Sequence, residues 1–260
     1  MSSLDFILNS VMAIRLKKGH PINLEKTNGL KLTNFCVGCN WGAVIEKKYQ
    51  EVVIRNGFLG FGRKTELRPY DNVIDVDLDL SCLMFDTVGN PIDHIYSPLY
   101  NFGENKFGLP YGKLDSRDKA LHHTGDDQTG DPSGDDGLDN EIITVDLTKI
   151  NSNVASIVFF LNVFNNKDYS GDFSGVPYAY IRMFEPIMGF QNGQYVVTGV
   201  KENFAQYDVS TKTDCKGMRG LVLGKLYRHN EEWKFSAIGD AFPDKSIVHT
   251  IARVIRDYSH

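Results

Sequence analysis

The stretch from His122 to Glu141 reads HHTGDDQTGDPSGDDGLDNE. Seven of its twenty residues are carboxylates, four are glycines, and none is Lys or Arg. Two like charges about 4 Å apart repel by ~4 kcal/mol at a surface-like dielectric. A fold that gathers several such pairs therefore needs a counter-ion. Ca²⁺ suits the residue types, because it takes about six to eight oxygens at roughly 2.3–2.6 Å from carboxylates, backbone carbonyls and water. Glycines such as Gly130 and Gly134 let the chain wrap an ion and turn its carbonyls inward. The candidate ligands here are Asp126, Asp131, Asp135, Asp136, Asp139 and Glu141, with the backbone at Gly130 and Gly134.

A second acidic pattern lies upstream. In VIDVDLDLS, Asp75, Asp77 and Asp79 alternate with Val76, Leu78 and Leu80. A strand over this segment puts the three carboxylates on one face, about 6.6 Å apart, and an apolar face towards the core. That makes Asp77 and Asp79 further candidates for the same cation. The EF-hand pattern fails, because from Asp131 its glycine position is Asp136 and its closing glutamate position is Ile142. Nothing repeats as a β-roll would require. A site assembled from several loops of a β-protein is what remains.

The elements that must position these residues read as strands. TNFCVGCNW, VIDVDLDLSCLMF, EIITVDLTKI, SIVFFLNVF, PYAYIRMFE, GQYVVTGV, NFAQYDV, GLVLGKLYR and EWKFSAIG are short, β-branched or aromatic, and bounded by turn residues. So many strands without regular intervening helices predict an all-β chain, a β-sandwich of two antiparallel sheets. Helical spacing occurs twice. Leu4, Ile7, Leu8, Val11 and Met12 line one short N-terminal helix; Ile247, Ile251, Val254, Ile255 and Tyr258 line a C-terminal one, with Asp244 as its expected cap. The stretches 42–71, 101–120 and 186–194, rich in Gly, Pro and charge, read as long loops.

Composition narrows the function classes. The 260 residues carry 33 acids and 28 bases, a formal net charge of -5. Eight of the acids lie between His122 and Asp146, so the rest of the chain is slightly basic and the acidity is local. That balance argues against a nucleic-acid partner, which calls for a basic face. No apolar run approaches the roughly 20 residues that span a bilayer. The N-terminus MSSLDFILNSV lacks a basic n-region, so the expected location is cytoplasmic. Four scattered cysteines do not make a disulfide framework. Cys36 and Cys39 form a CxxC, but on a strand they face opposite ways and read as structural. His122 and His123 read as loop structure ahead of zinc ligands. No nucleophile–base pair and no phosphate-cradling glycine motif is present, so the expectation is a protein that is not an enzyme.

HTGDDQTG, then GDD, then NEIITVDL resembles the signature of the TerD family of tellurium-resistance and stress proteins, which runs HTGDN-x-TG, an acidic glycine loop, GDDE and a strand ending VDL. Other blocks follow in order: MAIRLKKGHPINLEK resembles the opening strand, VGCNWG stands where VGLGWD is usual, and VDLDLSCLMF where FDLDASAFLL is usual. PYAYIRMFE and LYRHNEEWKFSAIGDAF resemble the closing blocks. The resemblance runs from Met12 to about Phe242. It divides the chain into an extension (1–11), a TerD-like domain (12–243) and a C-terminal helix (244–260). It implies a cytoplasmic, Ca²⁺-binding β-sandwich of a tellurite or general stress-resistance system, without catalysis, with sister stress proteins as partners. The family's calcium acids carry over to Asp77, Asp79, Asp126, Asp135, Asp136 and an acid near Glu141. Asp127 replaces the usual Asn and Gly42 the usual Asp, so neither is counted as a ligand. An extra GLDN leaves the closing ligand as either Asp139 or Glu141. Two rivals accompany this reading: a Ca²⁺-dependent adaptor to a membrane surface or a protein, in the manner of C2 domains, and a metal-dependent hydrolase built on His122 or His123.

Overall fold

The run Ile157–Val158–Phe159–Phe160–Leu161 offers no polar side chain to a solvent face, so a strand made from it must be covered on both sides. The fold does this. A computed structural model describes residues 14–15, 21–25, 29–55, 62–100, 110–166, 168–209, 215–230 and 232–260. Its strands are β1 (Ile14–Arg15), β2 (Pro21–Asn23), β3 (Asn34–Trp41), β4 (Val44–Arg55), β5 (Lys64–Ile74), β6 (Leu78–Phe85) and β7 (Pro91–Ile95). They continue with β8 (Leu121–His123), β9 (Glu141–Asp146), β10 (Ser156–Val163), β11 (Ala179–Gln191), β12 (Gln194–Asp208), β13 (Gly220–His229) and β14 (Glu232–Phe242), followed by helix α1 (Ile247–Asp257).

Two six-stranded sheets face each other, in the orders β1-β12-β11-β3-β9-β8 and β2-β14-β13-β10-β6-β7. All their pairings are antiparallel except β1 with β12. This is the sandwich of antiparallel sheets that the strand pattern predicts. Between the sheets lie Val37, Cys39 and Trp41 from β3, Leu78, Leu80, Cys82 and Met84 from β6, and Ile157, Phe159 and Leu161 from β10. The other face of β10, Val158 and Phe160, packs with Leu83, Phe85 and Val222 under α1, whose Ile247, Ile251 and Val254 are buried there. The i, i+4, i+7 spacing of these three side chains is what presents a single apolar stripe to the sheet.

Asp244 does not cap α1. The N-cap is Ser246, without a side-chain cap bond. Asp244 instead binds Arg253 two turns into the helix, Nη2 to Oδ1 at 2.7 Å and Nε to Oδ2 at 3.0 Å, and accepts from Thr250. A buried carboxylate with a bidentate guanidinium gains more there than from a single backbone N–H. The expected N-terminal helix lies outside the described residues. Two of the three expected loops are hairpins: β4 and β5 pair over 44–74 as a separate two-stranded arm, and β11 and β12 stay paired out to Gln191 and Gln194. Most of the third, 101–109, lies outside the described residues.

Candidate metal centre

β6 begins only at Leu78, so Asp75, Asp77 and Asp79 do not alternate along one strand. The backbone ahead of it leaves the ladder. Val76 gives its carbonyl to the Trp41 indole N–H (2.7 Å) and donates its own N–H to the Thr129 carbonyl (3.4 Å). Anchoring Val76 under Trp41 directs Asp75, Asp77 and Asp79 to one cleft of about 420 Å³. Asp126 and Asp168 line the same cleft with Ser97, Tyr100, Gln128, Thr129 and Asn166. Five of the lining side chains are aspartates and none is a base.

Glu141 reaches this cleft from the other sheet. β7 pairs with β6 only over Cys82–Phe85, which leaves the β6 edge bare at Leu80. Two side chains take the place of the missing strand. Glu141 Oε2 accepts the Leu80 N–H at 2.6 Å, and the His123 imidazole Nε2 donates to the Leu80 carbonyl at 3.1 Å. The Asp127 N–H donates to the other oxygen of Glu141 at 3.3 Å, tying the acidic loop to the same carboxylate. Oxygens of Asp79, Asp126 and Glu141 lie within 4.8 Å of one another.

Burial sets the electrostatics of this inner cluster. Asp77, Asp79 and Glu141 are all buried. Loss of water, with Asp126 and Asp127 beside it, pushes the Asp77 carboxyl up to about 7. Burial and the neighbouring charges of Glu141 and Asp77 hold Asp79 well above the usual carboxylate range, against an opposing hydrogen bond from the Tyr100 hydroxyl. Glu141 is raised well above its usual value by burial, with Asp126 adding to it, although its two backbone donors oppose the shift. The Oδ1 of Asp77 is buried without a hydrogen-bond partner. Such an orphan carboxylate oxygen, in a cleft lined by five aspartates and otherwise by uncharged side chains, fits a hard cation.

The remaining acids of the loop go elsewhere. Oxygens of Asp131, Asp135 and Asp136 converge within 4.8 Å of one another in a second, outer cluster. It rests on the outward side of β3 and β11. Tyr178 and Tyr180 donate to Asp131 (2.8 Å) and Asp135 (3.0 Å), and Asn40 donates to Asp135 (3.3 Å). Asp131 is stitched to the end of β3 through its N–H to the Trp41 carbonyl and its carbonyl to the Ala43 N–H. Gly130 makes this approach feasible: its φ is +67°, and a Cβ there would stand 2.6 Å from the Trp41 indole. Gly134 (φ +92°) turns the chain between Asp131 and Asp135.

The choice between Asp139 and Glu141 is a choice between two faces of one sheet. Asp139 is buried on the outer face, with both its oxygens 2.9–3.0 Å from Arg182 Nε. Burial raises its carboxyl to about 6, with the guanidinium opposing. It already has a cation. Glu141 points to the inner cleft, whose lining has no Lys or Arg. Its nearest ring nitrogen, His123 Nε2 at 3.4 Å, belongs to an imidazole whose pKa is lowered to about 4. The structure therefore joins Glu141 and not Asp139 to Asp79 and Asp126. Asp127 serves a turn, accepting from Thr129 at 2.9 Å and from Asn140 at 3.0 Å.

Several contributors carried no signal of their own in the sequence. Tyr100 and His123 support the inner cluster through contacts remote in sequence. Tyr178, Tyr180 and Arg182 alternate in PYAYIRMFE, which marks them as one face of a strand, but nothing local tells which acids they meet. His123 is buried, with its pKa lowered to about 4 by loss of water. Its Nδ1 accepts the Gly125 N–H (3.1 Å), so both ring nitrogens are engaged. His122 faces outwards against Asp115 at 3.0 Å. Cys36 and Cys39 are buried on opposite faces of β3, and burial raises Cys36 to about 12 and Cys39 well above its usual value.

Comparison with known proteins places the chain in a family. A family model described as the TerD domain matches residues 12–253, a span that includes the first part of α1. The chain is 28% identical over 250 residues to General stress protein 16U of Bacillus subtilis strain 168, covering 95% of this chain and 97% of that protein. It is 27% identical over 231 residues to Tellurium resistance protein TerD of Serratia marcescens, covering 89% of this chain and 92% of the relative. A crystal structure of a homologue of telluride resistance protein (TerD) from Streptomyces coelicolor A3(2) shares the fold, with a TM-score of 0.50 at 11% identity over 88% of this chain and 98% of that one.

Proposed function

The chain belongs to the TerD family, and on that premise we propose that it is a non-catalytic Ca²⁺-binding module of a tellurite or general stress-resistance system. The observation that carries the reading is the inner cleft. Three buried carboxylates, Asp77, Asp79 and Glu141, meet Asp126 where no side chain supplies positive charge, and one oxygen of Asp77 has no partner. Without a cation these groups hold protons, and a cation displaces them. Every candidate donor is an oxygen, which suits Ca²⁺ ahead of softer metals. Asp131, Asp135 and Asp136 form a candidate second site, two of whose carboxylates are exposed.

Ion binding on this reading is a conformational device. Asp126 and Glu141 bracket the acidic loop, so a cation between them ties its two ends to β6. The surface presented by the loop, and its docking on sister stress proteins, then depends on Ca²⁺. The cytoplasm is the location proposed with this role; no helix among the described residues is long and apolar enough to cross a membrane. The hydrolase reading is less supported, because His123 is buried with both ring nitrogens in contact with backbone groups and His122 faces outwards against Asp115. The C2-like adaptor reading uses the same ion site and differs in the partner.

Titration calorimetry with CaCl₂ is the direct test, alongside thermal unfolding in chelator and in excess Ca²⁺. The expected result is saturable binding and a higher melting temperature in the wild type, with both lost in Asp79→Asn. Absence of heat and of any thermal shift in the wild type at saturating Ca²⁺ overturns the reading. Co-sedimentation with anionic vesicles only when Ca²⁺ is present would favour the membrane adaptor.

A further inference from the structure

The hairpin β4–β5 belongs to neither sheet, and among the described residues its strands pair only with each other. Its register sorts the side chains into two faces. On one face Val44 and Ile74 at the base pack against the main core, and the rest mixes Glu46, Lys48, Arg68 and Glu66 with Val52 and Tyr70. The other face carries Ile45 opposite Val73, Lys47 opposite Asp71, Tyr49 opposite Pro69, Leu67 opposite Glu51, and Val53 opposite Thr65, so its apolar groups are interrupted by one ion pair. Its apolar side chains are open to solvent: Ile45 43%, Val73 45%, Tyr49 67%, Leu67 62% and Val53 38% exposed. A two-stranded hairpin in water is marginal by itself, and a row of large apolar groups along it needs a cover.

Charge says what covers it. At the far end of the arm stand Arg55, Arg63 and Lys64, with no ion-pair partner among the described residues. At its base Asp131 is hydrogen-bonded to Trp41 and Ala43, three and one residues before β4, and brings the exposed Asp135 and Asp136 with it. The arm therefore runs from an acidic base to a basic tip. A second copy laid antiparallel, apolar face on apolar face, puts each basic tip on the other copy's acidic base.

We propose that β4–β5 is a self-association arm, and that two copies of this chain pair through it about a two-fold axis near Tyr49. Such an isologous contact satisfies both ends of both arms at once. Eleven residues at ~3.3 Å each and a two-strand width of ~10 Å give a footprint of roughly 360 Å² on each copy. Two such faces bury roughly 700 Å² before the tip contacts are added, less than the ~1,000 Å² of a stable interface, so the dimer is weak, reversible and forms as concentration rises. Asp135 and Asp136 also belong to the candidate second ion site, so a cation bound there weakens the tip contacts and the association is strongest in chelator.

Sedimentation velocity of the full chain in chelator, with cysteine cross-linking, tests this. The four native cysteines are buried and give little background. Expected are a monomer–dimer equilibrium weakened by salt, by Leu67→Asp and by Lys64→Glu, with far-UV circular dichroism unchanged. Tyr49→Cys should form a disulfide-linked dimer under mild oxidation. Ile45→Cys alone should not, but should link to Val53→Cys when the two are mixed. A monomer at every concentration overturns the proposal. So does self-linking of Ile45→Cys as efficient as that of Tyr49→Cys. A dimer that survives Leu67→Asp and is lost in Phe190→Asp also overturns it, and assigns the contact to the β11–β12 hairpin.

Discussion

Replacing Asp77 by Asn should stabilise the protein without Ca²⁺ and weaken it with Ca²⁺. Its carboxyl is pushed up to about 7 from an ordinary value near 3.9. Between those values the folded chain holds a proton that the unfolded chain has released. This group's contribution is therefore most favourable below pH ~4, and is lost as pH rises through ~7. Roughly three units at ~1.4 kcal/mol each set a ceiling of ~4 kcal/mol at pH 7.5. Relaxation and water entry into the cleft reduce this by about half, to on the order of 2 kcal/mol, or ~4–8 °C in melting temperature for a chain of this size. In chelator, the wild type should lose stability from pH 5 to pH 8 while Asp77→Asn shows a shallower slope and melts higher at pH 7.5. In excess Ca²⁺ the order should reverse, because the variant lacks a ligand charge. Thermal unfolding by circular dichroism across both series measures it. An Asn variant less stable than the wild type in chelator, or stabilised equally by Ca²⁺, would refute the reasoning.

Other outcomes follow from the same geometry. Asp139→Ala should cost about 3–5 kcal/mol in chemical denaturation, because it strands the buried Arg182 guanidinium, yet leave the Ca²⁺-induced thermal shift in place. Glu141→Gln should remove that shift, and the pair of variants decides which acid closes the site. Gly130→Ala should destabilise by roughly 1–3 kcal/mol, from a positive φ and a clash with Trp41, read from the denaturation midpoint. Finally, with all four thiols buried, a chromogenic disulfide reagent should label the native chain negligibly and label four thiols after denaturation.

The sandwich was legible because its interior strands obey burial. SIVFFLNVF and VDLDLSCLMF carry apolar side chains wherever the core meets them. The arms were not legible for the converse reason. β4–β5 buries almost nothing, so charge fills its polar face, and Pro69 is tolerated on an open edge where no ladder donor is needed. The same holds for Pro186 at the root of the β11–β12 projection. Within the site, Asp79, Asp126 and Glu141 could be named from residue type and position. The division of the loop between two clusters could not. It rests on Arg182 claiming Asp139 and on the β6 edge claiming Glu141, and both contacts join residues more than forty positions apart. Asp75, Asp77 and Asp79 share one cleft and Val76, Leu78 and Leu80 are buried, as alternation predicts. Ahead of Leu78, however, the segment is not a strand, and the Trp41 indole holds the Val76 carbonyl there.

The order of the acids along the loop has a thermodynamic consequence. Asp131, Asp135 and Asp136 lie in sequence between Asp126 and Glu141, so the outer cluster sits inside the ring that an inner cation would close. Closing that ring restricts the segment that the outer trio must also order, and the entropy is lost only once. Whichever site fills first lowers the ordering cost of the other. Two ions on such a loop should bind with positive cooperativity although no ligand is shared, giving a response to Ca²⁺ steeper than either cluster would show alone.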